Sequence, residues 1–307
     1  MTTQKVGFIS VSELIGATEA GGTDIQLVDA RTRDEFVQAH IPGAVLLEWE
    51  DWCEAAPPSA GAQIAQPGYW GKLADPLQCE AARRLSQCGL NSSSPIVVYA
   101  DGIPSKGRDG RAAWMLLYFG AAQVFLLNGG WAAWCGAGGV TTAEGTIVQP
   151  GIFALCRRDE RRITLDQLTA ELAGGGVSLI DTRCVAEYVG DCYDYQPRKG
   201  HLPNSVLFPF QDYYETDGNS FATGQNYRAK LARAGHELDG GNLVSYCEVG
   251  VRAGTMALLH EIYTGQIVRV YDGSIMEWSH HRDLPMEASG LYCVKPDANC
   301  GDKDAIV

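Results

Sequence analysis

Three short runs of mostly β-branched and aromatic residues, Ile96 to Tyr99, Leu243 to Tyr246 and Ile267 to Tyr271, are too brief and too continuously apolar for amphipathic helices and predict buried strands. Longer stretches, RAAWMLLYFG at 111–120 and RAGTMALLHEIY at 252–263, predict helices. Strand alternating with helix predicts an α/β fold, a mainly parallel sheet with helices on both faces.

The same pattern occurs twice. LVDARTRDEFVQAHIPGAV (27–45) returns as LIDTRCVAEYVGDCYDYQPRKGHLPNSV (179–206), with Asp29, Arg31 and Glu35 spaced as Asp181, Arg183 and Glu187 are. The second copy carries nine extra residues before its His201. PIVVYADG pairs with NLVSYCEVG, and LNGGWAAW with YDGSIMEW, which puts Trp134 and Trp278 in matching places. The chain reads as a tandem duplication. Its expected divisions are a first domain at 1–142, a Gly- and Thr-rich linker at 143–161, a second domain at 162–288 and a tail at 289–307.

Composition narrows the function classes. The chain has 307 residues, 46% apolar and 20% charged, enough for two domains with cores of their own. A net charge of −13 disfavours nucleic acid and acidic membrane surfaces as partners. The start MTTQKVGFIS has neither a signal-peptide core nor an Arg-rich amphipathic stretch, so a cytoplasmic protein with reduced thiols is expected. None of the ten cysteines forms a pair with zinc-ligand spacing, and no metal or organic cofactor is expected.

Candidate chemistry concentrates in YCEVGVRAG, residues 246–254. A strand ending at Tyr246, a segment from Cys247 to Arg252 and a helix opening near Ala253 place a thiol over a helix N-terminus. Unpaired amides and the helix dipole there favour an anion. Gly250 permits a turn with positive φ, and Arg252 puts a positive group within reach of whatever the sulfur holds. The plainer alternative is a buried core cysteine at a strand end.

With DARTRDEF and AHIPGA, DTRCVAEY and GHLPNS, YCEVGVRA and YDGSIMEW in view, the sequence resembles the rhodanese superfamily, specifically its tandem-domain sulfurtransferases of the thiosulfate and 3-mercaptopyruvate types. The resemblance implies a silent first domain and a second one whose cysteine becomes a persulfide. Ala100 stands where Cys247 does, and eleven positions separate it from Arg111, the expected counterpart of Arg252.

The resemblance also implies a substrate cradle of Glu248, Val249, Gly250, Val251 and Arg252, with Arg183 on the anionic end of the donor. A second donor-binding arginine of the family falls on Glu187, so Arg198 or Lys199 is the expected substitute. His40 lies in a turn linked to the mercaptopyruvate site. The expected reaction moves sulfane sulfur from a small anionic donor to a thiol or cyanide acceptor through Cys247, and the alternative is a non-catalytic persulfide carrier that relays sulfur between proteins. Four residues separate Cys247 from Arg252, one fewer than in phosphatases on a related fold, so a terminal sulfur fits better than a phosphate.

Overall fold

The computed structural model describes residues 4–19, 24–60, 68–192, 196–235 and 241–288; the tail expected at 289–307 lies outside them. The first unit contains β1 (Lys5–Ile9), α1 (Val11–Glu19), β2 (Gln26–Asp29), α2 (Arg33–Gln38), β3 (Val45–Leu46), α3 (Asp75–Gln87), β4 (Pro95–Tyr99), α4 (Arg108–Phe119), β5 (Gln123–Leu127) and α5 (Gly130–Gly136). The second contains α6 (Leu165–Gly174), β6 (Ser178–Asp181), α7 (Val185–Val189), β7 (Val206–Leu207), α8 (Gly224–Arg233), β8 (Leu243–Tyr246), α9 (Val251–Thr264), β9 (Arg269–Val270) and α10 (Ser274–His280).

Both sheets are parallel throughout, in the orders β1-β5-β4-β2-β3 and β7-β6-β8-β9. The counterpart of β1 in the second unit has shrunk to one bridge, Arg162 to Val270. The duplication holds at the level of register: Asp29 lies opposite Tyr99, and Asp181 opposite Tyr246. Each tyrosine hydroxyl accepts a hydrogen bond at 3.1 Å from the backbone of its own His-Ile/Leu-Pro turn, at Ile41 N and Leu202 N. The two matched tryptophans donate to Val140 O and Pro285 O, closing the same corner twice.

α4 is buried from Asp109 to Phe119 and α9 from Val251 to His260. A helix buried all round must cover its own sheet and also meet another body. Here each helix meets the other, and one continuous core runs across both units from Trp114 and Leu117 to Met256 and Leu258. The approach is close because glycine lines it. A Cβ on Gly110 would clash with Thr255 Oγ1 and lie 2.6 Å from Thr255 Cα, while one on Gly254 would lie 3.2 Å from Arg111 Cα.

The segment expected as a linker is docked along much of its course. Phe153 is buried, Cys156 N donates to Phe119 O at 2.9 Å and Arg158 N to Tyr118 O at 2.8 Å. Its contacts are mostly backbone hydrogen bonds, which leave no periodic apolar signal. At its end Arg161 holds Glu261 of α9 through two bonds of 2.6 and 2.8 Å, and Arg162 lies 3.0 Å from Asp272. Among the described residues no helix is long and apolar enough to cross a membrane.

Gly110→Ala is expected to destabilise the protein by about 1–3 kcal/mol through overpacking against Thr255, although alanine is the better helix former by about 1 kcal/mol. Gly136→Ala, with nothing within 4 Å of its added methyl, should leave the melting temperature unchanged or raise it. Thermal unfolding of the two variants distinguishes the effects, and an undiminished melting temperature for Gly110→Ala would contradict the close helix contact.

Candidate active site

β8 lies inside its sheet, so Cys247 emerges at the carboxyl edge of an inner strand, where parallel α/β sheets place their ligands. The next turn is pinned from below. Cys247 N donates to Ser274 Oγ at 3.1 Å, Cys247 O accepts from Ile275 N at 3.1 Å, and Glu248 O accepts from Met276 N at 3.1 Å. Ser274 itself has a φ of 52°, a strained position for a residue with a side chain, and its hydroxyl donates to Tyr271 O. These bonds tie the Cys247 turn to the first residues of α10.

Gly250, at φ 81°, turns the chain directly into α9, so the helix opens at Val251 rather than near Ala253. Its N–H donates to Cys247 Sγ at 3.1 Å. A Cβ at this position would come within 2.8 Å of Asp272 O and 2.9 Å of Arg111 Nη1. The sulfur therefore sits at the N-terminus of a 14-residue helix, almost wholly buried at 1% exposure. Helix-end amides and the macrodipole stabilise negative charge there.

Arg252 is committed to other groups. It donates to Glu187 at 2.7 and 2.8 Å in a bidentate pair and lies 3.4 Å from Glu248. Burial disfavours charge on Glu187, but the guanidinium of Arg252, then Arg183 and the Cys184 N–H, outweigh it and hold the carboxyl below its ordinary range. Burial pushes Glu248 the other way, upward, with Arg252 offsetting only part of the effect. Glu187 is the group that fixes Arg252, and Glu248 is the surplus carboxylate of the cluster.

Several expected site residues have other work. Arg183 is buried and donates to Asp181 at 2.6 Å, to Gly200 O and to Gln196, so most of its donors are already engaged. Its ion pair is with Asp181 rather than Glu187, and Arg31 pairs with Asp29 identically. Arg198, expected beside the donor, instead donates to the carbonyls of Trp278, Ser279, His281 and Leu284 and caps the end of α10. His40 is buried, bonded through Nδ1 to Phe36 O and stacked on Phe36, just as His201 is bonded to Tyr188 O and stacked on Tyr188. A role kept in both copies is structural packing of the turn.

Val249 and Val251 face the first unit. Val249 packs with Trp70 and Ala56, and both valines pack with Trp49 and Cys53. Gly71 allows this approach: a Cβ there would lie 2.6 Å from Val249 C. The loop thus has a wall built by the other half of the chain. Sequence reasoning missed Ser274 and Glu187 as the partner of Arg252. The signals were the recurrence of YDGSIMEW and the appearance of an acid where a basic residue was expected.

The first copy keeps the frame but has neither the cysteine nor the short loop. Ala100 O accepts from Trp131 N at 2.9 Å, as Cys247 O does from Ile275 N, but the path from Ala100 to the helix cap Gly107 takes eight residues against four from Cys247 to Gly250. Counting from the two caps, the position matching Arg252 is Asp109, not Arg111. Asp109 is buried, and that burial pushes its carboxyl up to about 6.

Glu187→Gln should cost roughly 3–5 kcal/mol at neutral pH, because it leaves Arg252 buried with a neutral partner. Glu187 ionises more readily folded than unfolded, so the unfolded chain takes up that proton first as pH falls. Its contribution is complete above the ordinary carboxylate range and is lost as pH falls through the depressed value. The stability gap between wild type and variant, read by urea unfolding, should be flat near neutrality and close in acid; a gap independent of pH would remove the pair from the stability account.

Comparison with known proteins places this geometry. The Rhodanese-like domain family matches residues 10–137 and 164–281. The chain is 30% identical over 292 residues to SseB of Mycobacterium tuberculosis, covering 91% of this chain and 95% of that protein. It is 26% identical to the thiosulfate sulfurtransferase of Bos taurus, covering 89% and 91%. In three dimensions it is similar to SseA from Escherichia coli, a 3-mercaptopyruvate sulfurtransferase with the rhodanese fold, at TM-score 0.70 and 22% identity over 87% of this chain and 98% of that one. Both matched segments carry the sheet and turn repeated here, and the chain belongs to the rhodanese-like family, with that domain present twice.

Proposed function

We propose that the protein is a sulfurtransferase that carries sulfane sulfur on Cys247, with residues 162–288 performing the chemistry and residues 1–142 catalytically silent. The observation that carries this reading is the bond from Gly250 N to Cys247 Sγ at the opening of α9, which prepares one buried sulfur to hold negative charge. The Cys247 thiolate attacks the outer sulfur of the donor. With thiosulfate, the sulfur–sulfur bond breaks and sulfite leaves with its electron pair; with 3-mercaptopyruvate, the carbon–sulfur bond breaks and pyruvate leaves after taking up a proton. An acceptor thiolate or cyanide then removes the outer sulfur and restores Cys247. Relatives named for either donor support the class of reaction. The absence of a second arginine at Glu187 favours thiosulfate over mercaptopyruvate, whose carboxylate and ketone need more specific contacts.

Incubation with thiosulfate and no acceptor should add the mass of one sulfur atom to the peptide containing Cys247, and Cys247→Ser should abolish both the adduct and turnover. An adduct on another cysteine would overturn the assignment. Loading only from a persulfidated protein would favour the carrier reading. Glu248 is the surplus negative charge on the loop, so Glu248→Gln should lower the KM for thiosulfate several-fold, with a smaller gain at high ionic strength as screening grows. A fall in kcat with unchanged KM would instead make Glu248 a brace for Arg252.

A further inference from the structure

Arg111 is fully buried in α4, and its Nε and Nη1 have no hydrogen-bond partner among the described residues. Its remaining nitrogen donates to Gly71 O at 2.6 Å and lies 3.7 Å from Cys53 Sγ, and its guanidinium sits against the rings of Trp114 and Trp49. The unpartnered Nη1 points across the domain boundary, 2.9 Å from where a Gly250 side chain would begin. Nearby carboxylates are engaged elsewhere: Asp272 with Arg162 and Leu73 N, Glu50 with Arg108, Glu277 with Lys72 and Tyr271, Glu187 and Glu248 with Arg252. Lys106 acts on Glu248 from the first unit, and Tyr213 lies close enough to Cys247 to feel its charge. A buried guanidinium without an anion is costly, and persists where a charge elsewhere compensates it.

We propose that Arg111 is a positioning residue through which the catalytically silent domain stabilises the sulfur anion of Cys247, thiolate or persulfide, across the Gly250 turn. The inference rests on reading Cys247 as the reacting thiol. Covalent lengths and the two contacts at Gly250 bound the separation of Nη1 from Sγ at about 9 Å. A unit charge at that distance in a protein interior moves an ionisation by about one pH unit. Arg252, neutralised by Glu187, has less charge to offer.

The test is the pH profile for iodoacetamide modification of the Cys247 peptide in the full-length protein, read by mass spectrometry. Arg111→Met should move the profile about one pH unit upward, and Arg111→Lys should hold it near wild type. Cys53→Asp places a carboxylate beside the guanidinium, so it should produce the same upward shift without removing Arg111, whereas Cys53→Ser should not. If Arg111→Met fails to fold, Cys53→Asp decides. A folded neutralising variant with an unmoved profile overturns the proposal, since a residue that merely held Gly71 would change stability and leave the profile alone. Alkylation reads ionisation whether or not sulfur is transferred, so a missing persulfide adduct would count against the sulfurtransferase reading and not against this one.

Discussion

Thr255 reaches into the backbone of the first domain, where its Oγ1 donates to Gly107 O at 3.1 Å and its Cα faces the bare Cα of Gly110. Two helices that meet with side chains between them lie about 8–10 Å apart, and glycine on one side allows a tighter approach. That closeness brings the first domain against the Cys247 loop. Gly71 then packs on Val249, and Arg111 packs on Gly250, each within a contact that a methyl group would prevent. The loop is consequently a two-domain structure, although every residue from Cys247 to Arg252 is local in sequence. Arg161–Glu261 and Arg162–Asp272 hold the same boundary at the linker's end.

The duplication acts as an internal control on which residues serve scaffold and which serve chemistry. Asp29–Arg31 and Asp181–Arg183 are superimposable in kind: each arginine pairs with the acid two residues before it and donates to a carbonyl at the start of the His turn, Ala39 O or Gly200 O. A device present in the half that carries Ala100 in place of Cys247 is scaffold. The positions that diverge are Ala100 against Cys247 and Asp109 against Arg252, together with the length of the loop. Glu35 only closes the first turn of α2 with Thr32, whereas its counterpart Glu187 both bonds Cys184 N and holds Arg252.

Strand runs, the helical stretches and the duplication were legible because they are patterns of burial, and burial repeats with the period of the backbone. YCEVGVRAG was legible for a related reason: strand, turn and helix cap follow one another along the chain, and the positive φ of Gly250 is a local demand. What was not legible depends on pairing across sequence distance. Arg183 looks like an anion ligand until Asp181 is seen to pair with it, and Arg198 until the end of α10 is seen to take its donors. The register of the first-copy helix was misread for the same reason. The eight-residue path to Gly107 shifts the count, so that Asp109 rather than Arg111 matches Arg252.

The charge arrangement at the loop separates geometry from attraction. Arg252 and Glu187 are close, bidentate and buried, so their field largely cancels at a distance while their positions are fixed by each other. Such a pair is suited to holding the first turn of α9 in place. Negative charge on Cys247 must then be met by groups whose fields do not cancel: the Gly250 N–H, the other amides at the helix opening and Arg111, which has no carboxylate partner among the described residues. These are buried and fixed before any donor arrives, so they cost no reorganisation when the sulfur becomes charged and are screened far less by salt than exposed side chains. Attraction of the donor from solution is a separate matter governed by the field of the whole chain, and there a net charge of −13 works against an anion. On the reading proposed for Cys247, the site is therefore built to stabilise a sulfur anion well once it has formed and to capture an anionic donor weakly.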